Sequence, residues 1–173
     1  MIILDPERLD RIEFADLHAL SNARECVMAI GSGRISRSGA AAFLMSDFAA
    51  IENGATLVID SSSAWAGVVW RIGDGALRLI RATSGGGPPA VVATDALFLG
   101  LADELFHGQW RQWLHRWLAD RSTAALDSAA LLTGRRGGDA LERAEFARLF
   151  AIGEPQEGME AFLSRRRPRF RPQ

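Results

Sequence analysis

With 173 residues, 18.8 kDa and a formal net charge of −1, the chain has room for one domain with a buried core, and it carries no charge excess directed at nucleic acid. Hydrophobic residues make up 48% and charged residues 24%, which is ordinary globular usage and excludes a disordered chain. A single cysteine, Cys26, excludes an internal disulfide and fits a reducing compartment.

The N-terminus, Met1 to Arg8, lacks the apolar run of a signal peptide, and no apolar segment is long enough to span a bilayer. The chain therefore reads as soluble and cytoplasmic, with neither membrane nor nucleic acid as partner. Phe14, Leu17 and Leu20 share one helical face. Cys26 to Ile30 reads as a buried strand, in which Cys26 is a small hydrophobe. Gly31 to Gly39 is a small-residue loop. Ser38 is the expected N-cap of a helix from Gly39 to Ala50 that is apolar almost all round and so should be buried. Asn53-Gly54 is a turn, Ala55 to Ile59 a second buried strand, and Ser61 to Ala64 a loop.

Residues 67–82 are open between strand and helix. Ser84 to Pro89 is a break, and Ala93 to Leu99 a short helix closed by Gly100. The last third is helical. Trp110, Trp113, Leu114 and Trp117 form one stripe. Asp139 and Glu142 have capping-box spacing ahead of Phe146, Leu149 and Phe150. Pro155 suits the first position of a last helix that carries Met159, Phe162 and Leu163 on one face. Strand, loop, buried helix, strand and then several helices make an α/β chain with a helical C-terminal region.

His18, His107 and His115 are scattered and suggest no metal site. Gly31-x-Gly33 fails the dinucleotide spacing, since position 36 is Ser. Ser61-Ser62-Ser63 lacks a nucleophile elbow and reads as loop. The basic tail from Arg165 to Arg171, interleaved with Pro168 and Phe170, suits an extension over a neighbouring subunit or a mobile end rather than a nucleic-acid contact.

The stretch Glu157-Gly158-Met159-Glu160-Ala161-Phe162-Leu163-Ser164-Arg165-Arg166-Arg167-Pro168-Arg169-Phe170 resembles the closing helix of the crotonase (enoyl-CoA hydratase/isomerase) superfamily, E-G-M-x-A-F-x-x-K-R-x-P-x-F. Ala96 to Glu104 is similar to that family's A-x-x-x-G-L-V-D-E segment. From Ala29 onward, Gly33, Gly39, Asp47 and Ala55 match its glycine-rich stretch without a gap. The resemblance covers roughly residues 26–170. It implies a single crotonase-like domain over 1–173: a shortened ββα spiral at 26–105, then a helical region at 106–173. It also implies trimers or paired trimers, CoA thioesters as ligands and no tightly bound cofactor.

In that family two backbone N–H groups hold the thioester oxygen, where preorganised donors stabilise charge that appears only in the transition state. The resemblance puts the second donor at Ser38, within Arg37-Ser38-Gly39. The first would lie in an N-terminal segment that is much longer in the family than the 25 residues here; losing one such donor costs ~2.7–4 kcal/mol in hydrolases. Arg37 brings positive charge toward an acyl or phosphate group, or is a solvated loop arginine. The two glutamates by which hydratases activate water fall on Ala41 and Ser61, and neither can shuttle a proton as a carboxylate does. Asp60 is the nearest substitute, and Glu52 is read as a solvated surface residue. Phe162 and Arg165 match positions that reach a neighbour's CoA in hexameric relatives, although core packing beside Met159 would also explain Phe162.

Two functions follow as expectations. One is an acyl-CoA binding protein with isomerase, decarboxylase or thioesterase chemistry rather than hydration, using Ser38, Gly39 and Asp60, with Arg37, Phe162 and Arg165 toward CoA. The other is a non-catalytic auxiliary subunit that completes a homo-oligomer or joins a longer crotonase.

Overall fold

The computed structural model describes residues 1–83, 85–132 and 138–170. Ser84 of the expected break and the basic tail from Arg171 lie outside the described residues. The chain divides into two compact units. The first takes Ile2–Ala23 and Val27–Trp110, and the second takes Met1, Arg24–Cys26 and the chain from Arg111 onward.

In the first unit β1 (Ile2–Leu4) leads through α1 (Pro6–Arg11) and α2 (Phe14–Ser21) to β2 (Val27–Gly31). Asp5 caps α1 by accepting the Arg8 N–H, and Pro6 opens the helix where its missing N–H costs nothing. After β2 come β3 (Arg34–Ile35), α3 (Arg37–Met45), β4 (Phe48–Glu52), β5 (Thr56–Val58) and α4 (Ser62–Thr83). Then β6 (Ala90–Val92), α5 (Ala93–Phe98) and β7 (Glu104–Phe106) complete the unit. Strands β1-β2-β4-β7 make a wholly parallel sheet, and β3-β5-β6 a second sheet with β6 antiparallel. Each turn, β2-β3-α3 and then β4-β5-α4, gives one strand to each sheet and one helix to cover them. That is the ββα spiral.

β2 is buried along its whole length, as an unbroken apolar run in a covered parallel sheet should be. α3 buries Gly39 through Leu44, again as its composition predicts. The helix does not run to Ala50, however. It stops at Ser46, whose hydroxyl donates to the Phe43 carbonyl at 2.7 Å, and Asp47 then accepts the Val27 N–H at 2.7 Å. The following Phe-Ala-Ala-Ile-Glu pairs with β2. Its alanines look helical in isolation but lie buried between two strands.

The N-cap of α3 is Ser36 rather than Ser38, which sits inside the first turn. Ser62 onward is helix where a loop was expected, and Ser61 caps it by accepting the Ala64 N–H at 3.1 Å. Residues 67–82 prove helical, with a break at Gly73 (φ 71°). Gly54 and Gly100 turn as expected, with φ 98° and 76°.

Arg71 on α4 locks the core. Its side chain, 6% exposed, donates to the carbonyls of Leu44 and Ser46 at the end of α3 and pairs with Asp103 at 3.0 Å. Asp103 also accepts the Ala49 N–H of β4 at 2.7 Å.

The second unit contains α6 (Trp110–Leu118), α7 (Thr123–Leu131), α8 (Asp139–Ala151) and α9 (Glu154–Leu163). Trp113 and Trp117 are buried, as their stripe predicts. Asp127 on α7 accepts both the N-terminal ammonium of Met1 and the Cys26 N–H. Asp139 is the first helical residue after Gly138 and makes no capping box.

Candidate functional site

The first turn of α3 begins with Arg37 at φ 52°, one of two non-glycine residues in the left-handed region among those described; the other is Arg165 at φ 50°. Such a backbone costs an ordinary side chain on the order of 1–3 kcal/mol and persists where surroundings hold it. At Arg37 the restraint is Asp60: the Arg37 N–H donates to Asp60 Oδ1 at 2.7 Å. Asp60 follows β5, so the second sheet carries a carboxylate to the positive end of the helix. The structure thus brings together Arg37, Ser38, Gly39 and Asp60.

Against this turn lies the segment after β1. Ser38 Oγ donates to the Ile12 carbonyl at 2.5 Å. A Cβ on Gly39 would stand 2.5 Å from the Leu9 carbonyl oxygen, so only glycine lets α1 approach. Ala41 is fully buried in the middle of α3, and Ser61 is occupied with capping α4, so no carboxylate occupies either position expected of a hydratase.

Beside Asp60 lies an open surface hollow of about 530 Å³, whose lining includes Ile59, Ser61, Trp65, Arg81, Pro88 and Pro89. The guanidinium of Arg81 lies 5.0 Å over the Trp65 ring. Neither residue was legible as a site residue. They meet only because of the break at Gly73, for which the local signal is a single glycine. No group of His, Cys, Asp and Glu suited to a metal occurs among the described residues. No described helix is long and apolar enough to cross a membrane.

Phe162 and Arg165 belong to the second unit. Phe162 is 83% exposed and Leu163 80%, with Met159 exposed beside them, so core packing does not account for Phe162. Arg165 forms the left-handed close of α9. Its N–H donates to the Phe162 carbonyl at 3.2 Å and that of Arg166 to the Ala161 carbonyl at 3.0 Å, a Schellman arrangement in which glycine is the usual residue. Arg166 grips Glu157 through two hydrogen bonds of 2.6 and 2.9 Å, and the Arg169 N–H also donates to that carboxylate. The Arg166 guanidinium, with the Arg169 N–H second, holds the Glu157 carboxyl down to about 2.

The chain matches no protein-family model, and no curated protein matches it. Solved structures do. An enoyl-CoA hydratase from Polaromonas sp. JS666 superposes with a TM-score of 0.67 at 21% identity, over 96% of this chain and 68% of that one. One from Bacillus anthracis gives 0.66 at 17%, over 90% and 66%. An enoyl-CoA hydratase/isomerase from Marinobacter aquaeolei gives 0.62 at 22%, over 88% of this chain and 63% of that one. The fold is therefore crotonase-like: its α/β architecture is that of the enoyl-CoA hydratase/isomerase structures. At these identities the likeness is one of architecture, and the chain spans about two thirds of the length of those proteins.

Proposed function

We propose that this chain binds acyl-CoA thioesters with the carbonyl oxygen at the Ser38 and Gly39 N–H groups, and that it supports isomerase, decarboxylase or thioesterase chemistry rather than hydration. All three reactions develop negative charge on that oxygen, and N–H groups at a helix N-terminus stabilise it. Asp60 is the carboxylate available to the acyl group. Arg37 is assigned to CoA itself, which enters as substrate, and Phe162 and Arg165 of the second unit to a neighbouring subunit's CoA; no tightly bound cofactor is invoked.

The observation that carries the reading is the first turn of α3, opened by a left-handed Arg37 and anchored by Asp60 beside an open hollow. The absence of a carboxylate at both Ala41 and Ser61 argues against hydration.

Calorimetric titration with butyryl-CoA tests it. Ser38→Pro removes one N–H in the first turn of α3, where no intrahelical bond is lost, and affinity should fall about tenfold, a hydrogen bond's worth. Ser38→Ala keeps the N–H and should bind nearly as wild type. Equal binding by all three proteins contradicts the site, and no binding by wild type contradicts the function.

A second reading, a non-catalytic auxiliary subunit in a trimer, a hexamer or a complex with a longer crotonase, is favoured by the exposed Met159, Phe162 and Leu163 of α9. It requires self-association or capture by such a partner. A monodisperse monomer in light scattering that ignores longer crotonases would count against it.

A further inference from the structure

Of the two residues whose N–H groups are assigned to the thioester oxygen, Ser38 is half-buried and Gly39 is buried. What lies on Gly39 is the end of α1. The Leu9 carbonyl oxygen stands 2.5 Å, and the Leu9 Cβ 3.8 Å, from the place of a Gly39 Cβ. Further on, the Ile12 carbonyl accepts the Ser38 hydroxyl. The segment from Leu9 into α2 thus closes over the turn that a ligand has to reach.

That cover is lightly held. α1 has six residues and buries only Leu9; α2 has eight and buries only Leu17. Helices this short persist through packing rather than on their own, and Phe14 of α2 is 50% exposed. Between them Ile12 and Glu13 are extended, with ψ 137° and 161°, and form a joint. α2 carries its own cap, the Glu13 N–H donating to Asp16 at 3.0 Å, so it moves as one piece. The covered turn is firm by contrast: α3 is buried from Gly39 to Leu44, and Asp60 holds Arg37. Segments with few buried apolar contacts open well below the free energy of the whole fold. Of the two surfaces that meet at Gly39, that of α1 and α2 is the one that gives way.

We infer that Leu9 to Ser21 is a strap that gates the site: it lies on Gly39 in the free protein and lifts to admit the thioester, and Leu17 sets how often it opens. The inference rests on the proposed binding at the Ser38 and Gly39 N–H groups and adds how access to them is controlled. A site competent only in its open fraction binds with an affinity reduced by that fraction. The apolar anchors Leu9 and Leu17 carry most of the hold. The Ser38 hydroxyl adds one part-buried hydrogen bond of small net worth, so Ser38→Ala stays close to wild type.

Hydrogen exchange of the whole chain read by mass spectrometry, with and without saturating butyryl-CoA, tests it beside calorimetric titration. In wild type, amides over residues 9–21 should exchange faster than those of β2 and β4, and faster still with butyryl-CoA bound. Leu17→Ala should speed exchange over 9–21 at least about tenfold, leave β2 and β4 unchanged, and tighten butyryl-CoA binding at least about fivefold. Leu17→Val should shift both in the same direction by less, and serves where Leu17→Ala does not fold. Exchange over 9–21 that ignores bound butyryl-CoA, or that quickens in the variants without tighter binding, overturns the strap and leaves acyl-CoA binding standing. Binding by none of these proteins overturns both.

Discussion

Asp60 accepts the backbone N–H of Arg37 at 2.7 Å, and Arg37 sits there at φ 52°. One side chain thus holds the opening of α3 in a conformation its residue disfavours. Asp60→Ala should destabilise the protein by about 0.5–2 kcal/mol, the range for a side chain that caps a helix start. Adding Arg37→Gly should recover about 1 kcal/mol, because glycine accepts the left-handed region. Urea unfolding of the single and double variants reads both effects, and simple additivity would show that the two residues are not coupled.

Arg71 joins the end of α3 to Asp103 and is nearly buried. Arg71→Met takes the donor from the Leu44 and Ser46 carbonyls and the ion-pair partner from a part-exposed Asp103, and should cost ~1–3 kcal/mol. Thermal or urea unfolding measures it. A change under 1 kcal/mol would show that the fold does not depend on this lock.

Gly39 is where α1 meets α3. Gly39→Ala sets a methyl 2.5 Å from the Leu9 carbonyl oxygen, and a backbone atom cannot swing aside. A loss of ~1–3 kcal/mol is expected from the forced shift, despite alanine's better helix propensity. Gly158→Ala, inside α9 with nothing near its Cβ, separates the steric effect from the gain in helix propensity.

The Glu157 carboxyl titrates at about 2 because Arg166 and the Arg169 N–H favour its charged form. A free glutamate carboxyl titrates at 4.5, so the folded pKa is depressed. Its contribution is therefore fully present above about 4.5 and is lost as pH falls toward about 2. Carboxyl-carbon NMR should place the Glu157 midpoint near 2, with the residues after α9 loosening over the same window. Glu157→Gln should loosen them at every pH. A midpoint near the ordinary glutamate value would show that the tail is not pinned.

Much of the fold was legible because periodicity and burial agree in β2, α3, α5 and α6. The strand β4 was hidden in an alanine-rich stretch whose conformation depends on pairing with β2, a contact no local pattern contains. The cap of α3 shifted from Ser38 to Ser36 because Ser38 Oγ is drawn to the Ile12 carbonyl of a segment 26 residues earlier. The grouping of Arg37 through Gly39 with Asp60 followed from the resemblance. Trp65 and Arg81 did not, because their meeting depends on a single broken helical turn at Gly73. Phe162 read as core for the opposite reason, since an apolar stripe looks the same in sequence whether it is covered or exposed.

The central claim is that the first turn of α3 holds a thioester oxygen, and one measurement bears on it most directly. An acyl-CoA labelled with ¹³C at the thioester carbonyl, bound to wild type, should show a downfield carbonyl shift from hydrogen bonding to the Ser38 and Gly39 N–H groups. In Ser38→Pro that shift should shrink while it persists in Ser38→Ala. A carbonyl resonance that stays at its solution position with the thioester fully bound would contradict the account.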